Sequence, residues 1–552
     1  MQETREVPPS ALQADEHRFA IIVGAGAAGI VQGCTFLREK TLSLEEFQIL
    51  DRQAAYGGVW WRNTYPGAAC DIPSEEYCIS WALNPYWSRT YATQPEIQKY
   101  FESVALNYQL DRSTAFNTEV VRAVWDDSRL LWFVETVDVP TKTRTIWSSH
   151  VLISAAGAFT VPKKADIPGL NDFQGESWHS GEWPKNADLR SKTVAVIGTG
   201  PSAAQFIPNI YPDLESLIVY QRSPGHVLPR NDKVVGWFTK WMFANVPFLQ
   251  SSLRWLNLRM NTILRKHLFV VDSFLQQKVL GMCKDHLYKQ VKDETLRKKL
   301  ESKDVFGCKR PLMLDNYFPI FTKQNVQLVT DSVTRLGQNS VVSQNAETGK
   351  EEERLVDVLI WGTELRGNTK PIWKEVYRFI DETSIGYNPV DFGLPVPTHG
   401  RSGQLLCDKY QPELMSLYGV AVDDFPNYFN FLGPNSSSFE TSLIALFELQ
   451  AHYACLATKF LFEKNKGSFR YAVMPKQERV IEWTLSLRPG QKLLPPAQPE
   501  CKSYYKSKIG HVYRFPYPYW QYKALIASVD WKRDWVLLQS RIGSREVKVL
   551  EF

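Results

Sequence analysis

Phe19-Ala20-Ile21-Ile22-Val23-Gly24-Ala25-Gly26-Ala27-Ala28-Gly29 decides the fold. An apolar run suited to a buried strand enters a GxGxxG turn, then a helical stretch reaching about Arg38. A second strand, Phe47-Gln48-Ile49-Leu50, ends on Asp51. Strand, glycine turn, helix, strand and terminal acid form the dinucleotide-binding fingerprint of a doubly wound sheet. Gly24 permits the tight turn, and Gly26 lets the backbone approach a pyrophosphate. Gly29 lets the helix pack on the strand, so the helix start around Ala27 faces the phosphates. Asp51 is placed to accept hydrogen bonds from a ribose.

The pattern recurs. Lys192 to Ile197 reads as a strand, Gly198-Thr199-Gly200-Pro201-Ser202-Ala203 as the turn, and Ala204 onward as a helix interrupted at Pro208. Ala203 stands for the third glycine, which the fingerprint permits. The next strand, Leu217 to Tyr220, ends in Gln221-Arg222-Ser223 instead of an acid. An acid repels a ribose 2′-phosphate, whereas a guanidinium pairs with it in a fork. The second cofactor is therefore expected to be NADPH, with Thr199, Gly200, Ser202, Ala203, Arg222 and Ser223 at its site.

The chain has 552 residues, too many for one core, and its 44% hydrophobic and 22% charged residues suit a globular protein. A net charge of +5 without a lysine-arginine run gives no nucleic-acid surface. Eight cysteines without CxxC or a regular spacing predict a reduced, cytoplasmic protein with mostly buried free thiols. The longest uncharged apolar stretch, Trp241 to Leu253, contains Pro247 and is too short to span a bilayer.

The fold predicted is α/β, with two Rossmann-like dinucleotide-binding domains (FAD and NADP) and a helical insertion in the NADP domain. Residues 1–16 form a flexible arm and 17–158 the first part of the FAD domain. Residues 159–360 form the NADP domain, with the insertion at about 233–305. Residues 361–552 return to the FAD domain and end in a substrate and cofactor loop. Core packing is the expected role of Trp237, Phe238, Trp241 and Phe243 in the insertion, in preference to contact with a membrane surface. The buried strand around Val356 to Thr363 is expected to return the chain to the first domain and ends in Gly362-Thr363-Glu364-Leu365, with Glu364 where two-dinucleotide flavoproteins usually have glycine.

Two further stretches identify the chemistry. Between the glycine turns lies FQGESWHSGEWP, Phe173 to Pro184, and after the first unit comes Gly57-Gly58-Val59-Trp60-Trp61-Arg62-Asn63-Thr64-Tyr65-Pro66-Gly67-Ala68-Ala69-Cys70-Asp71. Phe173, Gly175, His179, Trp183 and Pro184 resemble the FxGxxxHxxxW-Pro signature of the two-dinucleotide Baeyer–Villiger monooxygenases. The second stretch is similar to that family's other signature. Related N- or S-oxygenating flavoenzymes usually carry Tyr or Phe in place of Trp183. An FAD/NADPH reductase would typically show a redox CxxC or a docking patch, and neither is apparent in the sequence.

The resemblance implies an NADPH- and O2-dependent flavin monooxygenase converting a ketone to an ester or lactone through a peroxyflavin. The chain is expected to be a monomer or weak oligomer. Gly58, Trp60 and Tyr65 would line the flavin, with Val59, Tyr77, Val120 and Leu443 also at the FAD site. Arg310 would hold the peroxide and the developing oxyanion, and Asp71, a carboxylate in a segment that reads as buried, would orient it. Lys309 would help Arg222 and Ser223 hold the 2′-phosphate, and Arg310 also belongs to the NADP site. Tyr504, in Ser503-Tyr504-Tyr505, takes the place of a Trp that closes over the nicotinamide. His179 has no adjacent nucleophile or acid and reads as a joint between the domains.

Overall fold

Both glycine turns sit where the strand order of a parallel sheet reverses. The computed structural model describes residues 11–157, 167–362 and 393–552, apart from Glu440, Tyr504, Lys508 and Arg545. In chain order, the elements that position the site begin with β1 (Ala20–Val23), α1 (Ala27–Arg38), β2 (Phe47–Leu50) and β3 (Val151–Ser154). Next come β4 (Glu176–His179), β5 (Thr193–Ile197), α2 (Pro201–Ile210) and β6 (Ser216–Tyr220). The insertion supplies α3 (Trp237–Asn245), α4 (Pro247–Leu268), α5 (Phe274–Gln290) and α6 (Glu294–Leu300). Last are β7 (Val326–Val329), β8 (Val358–Trp361), β9 (Tyr428–Asn430) and α7 (Leu443–Lys464).

The first sheet runs β9-β3-β1-β2, with Thr114–Ala115 at its edge, and every pairing is parallel. From β1 the chain winds to β2 on one side and returns to β3 on the other, which opens a crevice at the turn after β1. Every residue of β1, β2 and β3 is buried, as strands covered on both faces require. One of those covers joins segments 423 residues apart: the Gln32 amide on α1 contacts Cys455 on α7 at 3.6 Å.

The second sheet runs β7-β6-β5-β8-β4, again parallel throughout. Its central strand is β5, so the second glycine turn occupies the equivalent crevice. β8 closes this sheet against β4, so the strand at 356–363 remains with the second sheet and does not lie in the first. Pro208 does not interrupt α2, which continues to Ile210. Pro208 has no N–H to donate to the Ala204 carbonyl, but only two residues of helix follow it, so the break is not propagated.

Three other expectations change. Residues 1–10 of the expected arm lie outside the described residues, and the rest of it is packed: Leu12 is buried beside Leu131 and Phe133, and Glu16–His17 pairs with Arg144–Ser149. Cys308 and Cys501, 193 residues apart, form a disulfide, and six cysteines are free. No spacing rule exposes so distant a bridge, and the support that reduced thiols lent to a cytoplasmic placement is lost. The insertion is helical, but Trp237, Phe238 and Trp241 face solvent and only Phe243 of that group packs inward. Glu364 lies outside the described residues.

Candidate active site

The N-termini of α1, at Gly26, and α2, at Gly200, have no side-chain cap and no acid in the first turn. Their leading amides are therefore left to meet an anion. A Cβ on Gly24 would lie 2.4 Å from the Ala155 carbonyl oxygen, and one on Gly29 would lie 1.8 Å from that of Gly24. Gly58 has φ +56°, and a Cβ on it would stand 2.9 Å from Gly26 Cα. Two glycine backbones thus meet at the first turn, leaving a surface that a pyrophosphate can approach.

Asp51 is buried at the end of β2. Its Oδ2 accepts from the Ala25 amide at 2.6 Å and its Oδ1 from the Gln53 amide at 2.8 Å. Burial pushes its pKa up, and the two amides offset only part of that. Ribose hydroxyls supply the donors such a carboxylate lacks, so these residues fit the adenosine half of FAD.

Trp60 Nε1 donates to the Tyr77 hydroxyl at 3.0 Å, with the rings edge to face. Burial raises the Tyr77 pKa. Val120 is buried in the same apolar cluster as Val23 and Leu50, while Val59 is exposed. Leu443 starts α7, where the Ser442 hydroxyl accepts from the Ile444 amide. Tyr65, expected as a flavin wall, instead belongs to the core of the second domain, with its ring 6.1 Å from Phe206. Its hydroxyl donates to Gln205 Oε1 at 3.0 Å and also hydrogen-bonds Ser202.

In the second crevice, the Thr199 hydroxyl pairs with buried Tyr317. Ala203 packs so closely on Gly362 that a Cβ there would lie 2.6 Å from the Ala203 methyl. Lys309 Nζ donates to Ser223 Oγ at 2.7 Å and pairs with Asp304 at 2.6 Å. Arg222 is exposed one residue before Ser223. Serine, lysine and arginine at one strand end are the donors a 2′-phosphate requires.

Arg310 and Asp71 join the two domains. Arg310 Nε donates to Asp71 Oδ2 at 2.9 Å and Nη2 to Oδ1 at 2.6 Å. The Asp71 side chain is 25% exposed and that of Arg310 43%, so the carboxylate is less buried than its sequence suggests. Cys308, two residues before Arg310, ties this segment to Cys501 and so to the loop carrying Ser503 and Tyr505. Tyr505 is buried under the Arg514 guanidinium at 4.0 Å. Tyr504 lies outside the described residues.

FQGESWHSGEWP becomes the strand β4 and a clasp around α2. Trp183 lies 5.2 Å from Phe206, Glu182 pairs with Arg62 of the other signature at 3.2 Å, and buried His179 Nδ1 accepts from the Gly181 amide at 3.0 Å. Sequence reasoning missed Gln205, whose Nε2 donates to the Ala69 carbonyl at 2.9 Å, and Arg230, which donates to the Cys70 carbonyl at 2.9 Å. Both reach the signature segment from the second domain. The available signal was position alone: Gln205 lies one turn after Pro201 on the helix that faces that segment.

Two crevices on two doubly wound sheets, with an arginine–carboxylate pair connecting them, define a two-dinucleotide flavoprotein. Residues 21–235 match the pyridine nucleotide-disulphide oxidoreductase family. The chain is 70% identical over 549 residues to "FAD-binding monooxygenase BOA2" of Botryotinia fuckeliana, covering 100% of both chains. It is 31% identical over 472 residues to a Baeyer–Villiger monooxygenase of Pseudomonas aeruginosa, covering 85% of this chain and 82% of that one. A closed crystal structure of cyclohexanone monooxygenase has the same fold, with a TM-score of 0.76 at 23% identity over 93% of this chain and 97% of that one. The chain belongs to the Baeyer–Villiger monooxygenase family.

Proposed function

We propose that this protein uses NADPH and O2 to insert one oxygen atom beside a ketone carbonyl, giving an ester or lactone, with Arg310 and Asp71 as its central pair. The observation that carries the assignment is the two-point Arg310–Asp71 contact between segments from different domains. Bound NADPH supplies hydride and bound FAD activates oxygen, which is the chemistry no side chain provides. The uncapped start of α1, the Gly26–Gly58 approach and Asp51 hold FAD. The start of α2, with Thr199, Gly200, Ser202 and Ala203, and the Arg222–Ser223–Lys309 group hold NADPH.

Arg310 places fixed positive charge where the carbonyl oxygen gathers negative charge during reaction. Asp71 fixes the guanidinium plane through both oxygens, so Arg310 needs little reorganisation when that charge appears. Trp183 and Tyr65 pack on Phe206 of α2 and fix both signature segments to the second sheet.

The test supplies FAD-loaded enzyme with NADPH, ¹⁸O2 and a panel of cyclic ketones, with a thioether alongside, and identifies products by mass spectrometry. One ¹⁸O atom in a lactone is the expected result. Complete recovery of the NADPH electrons as H2O2, or sulfoxide as the sole product, rejects the reading.

A further inference from the structure

α4 is an amphipathic helix turned inside out. Gln250, Arg254, Asn257 and Asn261, spaced at i, i+4, i+7 and i+11, share one face. All four bond to the FAD domain: Gln250 to the Asn84 carbonyl at 2.8 Å, Arg254 to Glu448 at 3.4 Å, Asn257 to Glu75 at 3.4 Å, and Asn261 to Glu76. The opposite face is apolar and meets solvent. Phe248 is 72% exposed, Trp255 59% and Ile263 58%.

α3 continues this surface. Trp237 is 79% exposed, and Phe238 and Trp241 stack on each other outside the fold with centroids 6.2 Å apart. Large rings gathered in solvent on two successive helices mark an interaction surface, because soluble chains rarely leave apolar patches of this kind uncovered. The charge around them identifies what covers them. From Lys233 to Val271 the sequence has Lys233, Lys240, Arg254, Arg259, Arg265 and Lys266, and no Asp or Glu. Arg254 is committed inward to Glu448, while Arg259 is exposed beside Trp255, 5.3 Å from its ring centroid.

We propose that the α3–α4 face docks on a bilayer surface carrying anionic phospholipid. Tryptophan at the headgroup level, apolar side chains beneath it and a surround of lysine and arginine are what an interfacial helix presents to such a surface. A second copy of the chain fits poorly: a two-fold contact would set this acid-free segment against itself, cation facing cation. Among the described residues no helix is long and apolar enough to cross a membrane, so the association is peripheral and reversible.

The test uses FAD-loaded enzyme in flotation with phosphatidylcholine vesicles containing 30 mol% phosphatidylserine, a composition on the order of an anionic leaflet, and with phosphatidylcholine alone. The protein is expected to float with the anionic vesicles and to release at high salt. The triple variant Trp237→Ser, Trp241→Ser, Phe248→Ser should remain at the bottom of the gradient with flavin absorbance intact, which shows that it folds. Lys240→Glu with Arg259→Glu should lower partitioning about fivefold per charge removed, on anionic vesicles only. The proposal is overturned if the wild type stays at the bottom with anionic vesicles or if the triple variant floats as the wild type does. It is equally overturned if light scattering shows a wild-type dimer that the triple variant converts to monomer.

Discussion

Arg310 grips both oxygens of Asp71, at 2.9 and 2.6 Å, across 239 residues of sequence. Both side chains are partly open to solvent, so the pair itself contributes on the order of 0–1 kcal/mol to stability. So small a contribution to folding lets a loss of activity on substitution be read as a loss of chemistry and not of structure.

Removing the cation should therefore separate binding from chemistry. Arg310→Ala is expected to keep FAD and to lose about 10²–10³-fold in ester formation, read as product per flavin. Asp71→Asn leaves the Arg310 charge but weakens its fixed plane, so a smaller loss is expected, with unfolding shifted by no more than about 1 kcal/mol. Ester formation by Arg310→Ala at the wild-type rate would refute the role.

Lys309 connects Ser223 to Asp304 at the strand end where Arg222 is exposed. A group that holds a 2′-phosphate acts equally on the ground state and the transition state, so its loss should appear in KM. Arg222→Ala and Lys309→Ala are expected to raise KM for NADPH by about tenfold or more, from the loss of a charge-assisted contact, with kcat little changed. KM for NADH should hardly move. Equal effects on both nucleotides would show that these residues do not read the phosphate.

Much of this arrangement was legible locally. Gly24 and Gly29 encode a turn whose geometry excludes a Cβ, and Arg222 encodes charge at a strand end, so short windows suffice to place both. Contacts made by distant residues were less legible. Tyr65 lies in the first domain's signature yet packs in the second domain's core, because the Pro66-Gly67 turn delivers it to Phe206 and Gln205. Pro208 looked like a break only because its distance from the helix end was unknown. In the insertion, the helical spacing was readable but not which face turned inward. That depended on Asn84, Glu75, Glu76 and Glu448, which offer polar partners to the polar stripe of α4.

The Cys308–Cys501 bridge couples the Arg310 segment to the loop of Ser503 and Tyr505. Thiol titration of denatured protein should find six free cysteines without reductant, and all eight after reduction. Cys501→Ser should cost about 2–4 kcal/mol and speed NADP⁺ release, measured by stopped-flow displacement. Dithiothreitol should produce the same change in the wild type and none in the variant. Eight free thiols in protein purified without reductant would disprove the bridge.

His150 gives the fold an acid limit. Its ring is buried and stacked on Phe19 at 4.7 Å, and its Nδ1 has no hydrogen-bond partner among the described residues. Burial first, then the charges of His17 and Arg470, hold its pKa down to about 3 from 6.5. Below pH 6.5 the unfolded chain takes up a proton that the folded one refuses, so unfolding becomes easier as pH falls. Its contribution is complete above pH 6.5 and shrinks by about 1 kcal/mol per pH unit toward pH 3. His150→Phe preserves the stacked ring and removes the titration. Urea midpoints measured at neutral pH and again near pH 5 should fall less for the variant than for the wild type, and equal falls would assign the acid sensitivity to another group.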